Sequence, residues 1–367
     1  MTSSGSARAW PQPRDDLREL AGYHSPQLDV AVRLNTNESP YPPPAEFVAA
    51  LSDAMRAVAY HRYPDRAARS LRSALGEFVG QPPERIFVAN GSNEVLQTVL
   101  LTYAGAGRRA LVFEPTYALH AHIARITGTT LVTGTRRADF TVDPDGAARL
   151  VHDVEPAVVF VCSPNNPTGT VEPAATVESL LAAARAVGAL LVVDEAYGEF
   201  APWSALALLD DDAPLAVVRT YSKVWSLAAM RLGFALAPAA VVAELEKVVL
   251  PYHLSIGTQL AGRLALDHRG AMLDRVASLV SERERLTREL GSFSDLTVFP
   301  SGANFVLVRI AGDAQRVWES LVARGVLVRN FASWPGVEGC LRISVGTPDE
   351  NDAFLAALRA SLQEVPQ

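Results

Sequence analysis

Cysteine is scarce: Cys162 and Cys340 are the two in 367 residues. Two cysteines in a chain this long form no disulfide framework and no zinc cluster, so no metal is expected and a reducing compartment is the default. Long apolar runs are missing as well. The longest, such as Ala189 to Val193 and Ala157 to Cys162, are strand-sized, well under the roughly 18 residues that a membrane-spanning helix needs. Positive charge is in deficit. The 33 Lys and Arg against 40 Asp and Glu leave a net charge of −7, and nothing resembles the basic face of a nucleic-acid binder. Met1 to Pro13 is polar and has no apolar core, so no secretory signal is expected. No internal repeat or long low-complexity tract is visible. These absences predict a soluble cytoplasmic protein with no nucleic-acid partner and no membrane partner.

What is present points to an α/β fold. Apolar residues make up 49% of the chain, and its length exceeds what one simple core absorbs, so two domains are expected. From about Pro82 to Ala237 short β-branched runs alternate with turns and helical stretches. The expected strands are Ile86–Ala89, Ala110–Phe113, Thr130–Thr133, Ala157–Cys162, Leu190–Val193, Leu215–Thr220 and Leu232–Ala237, with helices such as Val95–Tyr103 and Ala174–Val187 between some of them. Continuous apolar strands alternating with helices predict a mostly parallel sheet covered on both faces, with ligands at the carboxyl ends of the strands. Beyond Ala237 the pattern becomes α+β. It has a charged helix at Gly270–Leu290, a helix near Ala314–Ala323, and strands at Asn304–Arg309, Gly325–Arg329 and Leu341–Ser344. The run Ser281-Glu282-Arg283-Glu284-Arg285 reads as a solvated helix face. Pro40-Tyr41-Pro42-Pro43-Pro44 excludes helix and central strand and reads as an extended lead-in. The expected division is an arm at 1–44 associated with the small domain, a large domain at 45–252 and a small domain at 253–367.

The chemistry-bearing residues cluster at the predicted strand ends. Lys223 follows the buried run Leu215–Val218 and stands among Thr220, Ser222 and Arg231. A lysine there, beside groups suited to a phosphate, fits a Schiff-base site for pyridoxal phosphate, and read alone it fits a surface lysine as well. Asp194 ends a second buried run and needs a cationic or hydrogen-bonding partner. A protonated pyridine nitrogen is one such partner, and the cap of a helix or turn is another. Asn166, in Ser163-Pro164-Asn165-Asn166-Pro167-Thr168-Gly169, sits in a fixed turn where its amide reaches a cofactor oxygen or closes an Asx-turn, with Tyr197 on the other side. Gly91-Ser92-Asn93-Glu94 precedes a helix, so its free amides and hydroxyl form an anion site or a plain N-cap. Tyr117 stacks on a ring or packs in the core. Glu195 and Glu199 read as structural or solvated. Arg342 alternates with apolar neighbours and Arg329 ends a strand. Guanidinium forks at both suit an anionic substrate, and read alone both also fit a surface ion pair.

Together these residues resemble the fold-type I pyridoxal-phosphate aminotransferases. The resemblance rests on Asn166-Pro167-Thr168-Gly169, Asp194-Glu195-Ala196-Tyr197, and Ser222-Lys223 with Arg231. More narrowly the chain is similar to the histidinol-phosphate aminotransferases. The segments that carry this are Leu34-Asn35-Thr36-Asn37-Glu38-Ser39-Pro40, Arg62-Tyr63-Pro64-Asp65, Pro251-Tyr252-His253-Leu254-Ser255 and Leu341-Arg342-Ile343-Ser344-Val345-Gly346-Thr347. The resemblance implies that Lys223 carries the cofactor and shuttles the substrate Cα proton. It implies that Asp194 pairs with the ring nitrogen, and that Tyr197 and Asn166 pair with the ring oxygen. Ser92, Asn93, Thr220, Ser222 and Arg231 would hold the cofactor phosphate. Tyr63 would reach the neighbouring subunit of a homodimer. Arg329 and Arg342 would hold the substrate phosphate or the 2-oxoglutarate carboxylate, with Tyr23 and Asn35 near the substrate. Departures from the family pattern are Asn93 in place of Asp, Ser39 in place of the second Asn of Asn-Glu-Asn-Pro, and Ala228-Ala229-Met230 in place of a Gly-containing turn.

The expected activity is therefore transfer of the amino group of L-histidinol phosphate to 2-oxoglutarate. The products would be imidazole-acetol phosphate and glutamate, within histidine biosynthesis. Two alternatives share the motifs: an aromatic amino-acid aminotransferase, and a pyridoxal-phosphate-dependent phosphoamino-acid decarboxylase. A cofactor-binding regulatory domain is disfavoured because Lys223, Asp194 and Asn166 are all in place.

Overall fold

The computed structural model describes residues 10–18, 20, 22 and 26–365. In chain order the first elements are β1 (Val32–Leu34), α1 (Ala45–Arg56), α2 (Arg69–Val79), β2 (Ile86–Asn90) and α3 (Gly91–Tyr103). They are followed by β3 (Arg109–Glu114), α4 (Ala118–Ile126), β4 (Thr130–Thr135), α5 (Pro144–Val154), β5 (Val158–Cys162) and α6 (Ala174–Val187). Next come β6 (Leu190–Asp194), β7 (Leu215–Thr220), β8 (Leu232–Leu236), α7 (Ala239–Val248), α8 (Ile256–Asp267) and α9 (Arg269–Leu290). The last part holds β9 (Leu296–Val298), β10 (Phe305–Ile310), α10 (Ala314–Ala323), β11 (Val326–Phe331), β12 (Cys340–Ser344) and α11 (Pro348–Glu364).

The larger sheet has seven strands in the order β2-β8-β7-β6-β5-β3-β4. Only β8 runs against its neighbours β2 and β7. Strand side chains alternate between two cores, as a sheet covered on both faces requires. From β5, Val159 and Val161 pack with Leu71 of α2, Val177 of α6 and Ala261 of α8. Val158 and Phe160 pack instead with Val95 of α3, Ile123 of α4 and Val242 of α7. The connection from β3 runs outward to β4, whereas the later strands add on the other side of β3, through β5. The strand order thus reverses between β3 and β5, and a crevice opens at their carboxyl ends.

The smaller sheet is β1-β11-β12-β10-β9. Its core joins Val306, Val328 and Ile343 to Leu286 and Leu290 of α9, Val317 of α10 and Phe354 of α11. A reciprocal capping box between Thr347 and Glu350, with Pro348 in the first turn, fixes where α11 starts.

The α/β pattern and the central strands are where the sequence pattern puts them, with ends moved by one or two residues. Two local expectations fail. Gly91–Glu94 is not a linker before a helix but the first turn of α3 itself. The Glu94 carboxylate reaches back to accept the Asn90 amide at 2.6 Å and closes the turn early. The charged run of α9 is not simply solvated. Arg285 bridges Glu282 and Asp352, and Asn351 donates to Glu282, so this face is tied to α11.

As for the domains, Met272 and Leu279 of α9 belong to the large core while Leu286 and Leu290 belong to the small one. We propose that the hand-over lies within α9 rather than near residue 252. Among the described residues no helix is long and apolar enough to cross a membrane.

Candidate active site

A cavity of about 420 Å³ lies over the carboxyl ends of the large sheet and is roofed by β12 and the segment after β1. Fourteen of the fifteen residues expected at the site can be located, and twelve of them line this cavity: Asn35, Ser92, Asn93, Tyr117, Asn166, Asp194, Tyr197, Thr220, Ser222, Lys223, Arg231 and Arg342. Arg329 lines a small adjoining space with Tyr117, Phe331, Trp334 and Arg342. Tyr63 is elsewhere. Its ring is 80% exposed and stacks on Tyr252 with centroids 4.5 Å apart. Tyr23 lies outside the described residues.

One end of the cavity is a hydroxyl-rich cup at the N-terminus of α3. Thr220 donates to Ser222 Oγ at 3.0 Å, and Arg231 Nη1 donates to the same oxygen at 3.3 Å. Two glycines let the walls meet. A Cβ on Gly91, where φ is +77°, would stand 2.6 Å from Arg231 Nη2, and one on Gly233 would stand 2.2 Å from the Ser92 nitrogen. Amides of a helix start, hydroxyls and a guanidinium around one space form an anion-binding set.

The middle of the cavity holds Lys223, Asp194 and Tyr197. The lysine loop is anchored by Tyr221 and Trp225, both buried and stacked 4.7 Å apart. Lys223 is half-buried, with its amine end enclosed and donating to the Thr36 carbonyl at 2.9 Å. Burial first, and then the charges of Arg342 and Arg231 against the opposing Glu38, bring this amine down to about 7. Asp194 is buried at the end of β6. Its Oδ1 accepts from the Ala196 amide at 3.1 Å, and its Oδ2 lies 3.0 Å from His120 Nε2. A carboxylate only accepts, so Nε2 carries the proton of that bond. His120 is held by stacking on Phe160 at 4.9 Å. The Tyr197 hydroxyl accepts from Asn37 Nδ2 at 2.9 Å and from Asn166 Nδ2 at 3.5 Å. Burial pushes this phenol up to about 12, against the pull of Arg342 and the Asn37 amide, so it keeps its proton.

The far end is built from the small sheet. Arg329 and Arg342 are both buried and stand opposite one another on adjacent strands. Arg342 donates to the Asn35 carbonyl at 2.8 Å and to Asn166 Oδ1, with its guanidinium 5.1 Å from the Phe305 ring centre. Arg329 lies 5.8 Å from the Phe331 ring centre. Two buried guanidiniums side by side, each held against a ring face, supply fixed donors that can receive an anion.

The sequence profile described as Aminotransferase class I and II matches residues 29–358. The chain belongs to that family. A histidinol-phosphate aminotransferase of Streptomyces avermitilis is 47% identical over 361 residues, 96% of each chain. One from Frankia casuarinae is 45% identical over 362 residues, 95% of this chain and 90% of its own. The crystal structure of histidinol-phosphate aminotransferase from Sinorhizobium meliloti, in complex with pyridoxal-5'-phosphate, superposes with a TM-score of 0.87. It is 24% identical and covers 97% of this chain and 99% of its own.

In this aminotransferase three groups at the site escape sequence reasoning. His120 sits three residues past Tyr117 on the first turn of α4. The signal for it was the need of a buried Asp194 for a partner. Asn165 fixes the turn that presents Asn166 by donating to Thr168 and Pro115 and accepting from Thr116. Asn37 lay inside a quoted motif, but nothing local tells that its amide meets Tyr197. Glu195, expected to be structural or solvated, is buried and structural: it pairs with Arg219 and accepts from Ser204 and Ala205.

Proposed function

We propose that this aminotransferase uses pyridoxal phosphate and moves the amino group of L-histidinol phosphate to 2-oxoglutarate, giving imidazole-acetol phosphate and glutamate. One observation carries the reading. An amine brought down to about 7 shares a cavity with a buried carboxylate and an anion-binding cup. The donor set fits the cofactor: the cup suits a phosphate, Asp194 suits a protonated ring nitrogen, and Tyr197 with Asn166 suits a ring oxygen. Arg231 approaches Gly91 so closely that a Cβ there would stand 2.6 Å from its Nη2, so the guanidinium reaches the helix start only because residue 91 has no side chain. The choice of substrate draws support from the two relatives at 45% and 47% identity and from two arginines at the far end.

When bound, pyridoxal phosphate supplies an electron sink for the pair left at the substrate Cα. The chain's own residues do the rest. Lys223 is neutral above about pH 7 and so able to accept the Cα proton. Asp194, with its position fixed by His120 and the Ala196 amide, holds a positive charge on the ring nitrogen. Arg342 and Arg329 orient the substrate's anionic group, and the aromatic walls beside them exclude water.

We further propose a homodimer in which Tyr63 enters the partner's site. The exposure of Tyr63 and Tyr252, with Leu250 75% exposed nearby, supports such a contact. A cytoplasmic setting agrees with two free cysteines, both buried. The aromatic amino-acid reading keeps one point in its favour, the wall of Tyr117, Phe331 and Trp334 next to Arg342.

A single-turnover absorbance measurement tests the reading. The cofactor-loaded protein is mixed with L-histidinol phosphate without any oxo-acid. Rapid loss of the lysine-linked absorbance, much faster than with phenylalanine, is expected. Loss only with aromatic amino acids moves the substrate to the second reading, and no loss with any amine overturns the transaminase.

A further inference from the structure

Asn37 is a buried residue with a left-handed backbone, φ 55°, on the segment after β1. Asparagine tolerates this conformation better than most residues. Here it turns the Asn37 amide N–H and the side-chain carbonyl toward one partner, Ser344. The N–H donates to Ser344 Oγ at 2.8 Å, and the Ser344 hydroxyl donates to Asn37 Oδ1 at 2.9 Å. The backbone N–H can only donate, so it occupies one of the two Ser344 lone pairs, and the Ser344 proton goes to Oδ1. In this network the Asn37 amide oxygen faces Ser344 and Nδ2 faces Tyr197 Oη, 2.9 Å away. A third tie, from Asn304 Nδ2 to the Asn37 carbonyl at 3.1 Å, anchors the same residue to the small domain.

The Tyr197 hydroxyl receives a second N–H from Asn166. Amide nitrogens do not accept hydrogen bonds. With both amides donating, the Tyr197 proton has to leave in a third direction.

We propose that Asn37 and Ser344 are a positioning pair that fixes the polarity of the Tyr197 hydroxyl, so that its proton is donated into the cavity, to the ring oxygen of the bound cofactor. The inference rests on the pyridoxal-phosphate reading. It links three parts of the chain: β12, the segment after β1, and the loop after β6. Ser344 lies two residues from Arg342 on the same strand face, so the strand that receives the substrate's anion also sets the donor to the cofactor. The phenol's high value agrees with a hydroxyl that stays protonated. The charged or titratable groups acting on it are Arg342, Cys162 and Asp194, with the Lys223 amine 5.8 Å from its ring centre.

The lysine-linked cofactor loses a proton with a visible change in absorbance, and losing it leaves the ring oxygen more negative. A donor to that oxygen favours the deprotonated form, so weakening the donor raises the midpoint. The test is a spectral pH titration of cofactor-loaded protein. Tyr197→Phe should raise the midpoint by about one pH unit, and Asn37→Gly or Ser344→Ala by about half of that. Asn37→Gly keeps the left-handed backbone available, so it removes the side chain without straining the turn. Because the pair acts through Tyr197, Asn37→Gly combined with Tyr197→Phe should shift no further than Tyr197→Phe alone. Phe354→Leu, a packing change in the same small-domain core, should lower Tm and leave the midpoint in place. A lysine-dependent midpoint that moves in Tyr197→Phe and ignores Asn37→Gly and Ser344→Ala would overturn the inference alone. A loaded protein with no pH-dependent band, or one whose band survives Lys223→Ala, would overturn the cofactor reading and this inference with it.

Discussion

The cup and the far end of the same cavity are assembled from different kinds of contact. The cup takes Ser92 and Asn93 from the first turn of α3, and Thr220, Ser222 and Arg231 from the ends of β7 and β8. These are neighbouring strand ends of one sheet, and each side chain is placed by a few residues around it. The far end takes Asn35 and Asn37 from before α1, and Arg329, Arg342 and Ser344 from near the end of the chain. The bonds from Ser344 to Asn37 and from Arg342 to Asn35 each span 307 positions. On the proposed reading, grip on the cofactor phosphate is thus local to the large sheet, whereas grip on the substrate also needs the small sheet and the N-terminal segment.

If that division is right, damage at the cup should cost cofactor and damage at the far end should cost substrate. The largest effect is at their junction. Lys223→Ala should reduce turnover by more than about 10⁴-fold, beyond the 10²–10⁴-fold that proton transfer alone contributes. Tm of the apo-protein should change little, and retained turnover would remove Lys223 from the mechanism. Next comes Gly91→Ala. Its new Cβ meets the end of the Arg231 side chain in a backbone of positive φ, so Arg231 is pushed out of the cup and the turn is strained by about 1–3 kcal/mol. Cofactor binding should be about tenfold to a hundredfold weaker in an equilibrium titration, with substrate KM at saturating cofactor nearly unchanged. A KM effect larger than the cofactor effect would break the comparison.

The same division explains what could be read before the fold was known. Strands β5, β6 and β8 of the large sheet announce themselves as apolar runs, because both faces are covered and every side chain is buried. The cup, and Lys223, Asp194 and Tyr197, sit at or just beyond the ends of such runs, so sequence adjacency and spatial adjacency coincide. Asn37, Ser344 and His120 carry no such mark. A polar residue's partner across hundreds of positions is set by how two sheets meet, which local propensity does not encode. The three-residue strand β1 and the buried Arg136–Glu172 pair escaped for the same reason. Both are made by tertiary contacts, and a buried ion pair looks like any surface charge when only its neighbours in sequence are known.

Arg342 acts across the division, and its removal gives the smallest and most discriminating effects. Arg342→Ala should raise KM for the substrate by about 10- to 100-fold, the range for a lost charge-assisted hydrogen bond, while cofactor affinity stays near that of the parent. It should also change the lysine. Only the neutral amine attacks an aldehyde, and burial with the Arg342 charge lowers the folded-state value from 10.5 to about 7. Capture of pyridoxal phosphate by the apo-protein should therefore rise about tenfold from pH 6 to pH 8, with its midpoint near 7. Removing the Arg342 cation must move that midpoint upward. The sign for stability is fixed too. Between about 7 and 10.5 the unfolded amine binds a proton that the folded one does not, so the apo-protein gains stability as pH rises through that window. The gain should shrink in Arg342→Ala. An unmoved midpoint would mean that the far end contributes contacts to the substrate but no field at the lysine, and the two ends of the cavity would then be independent.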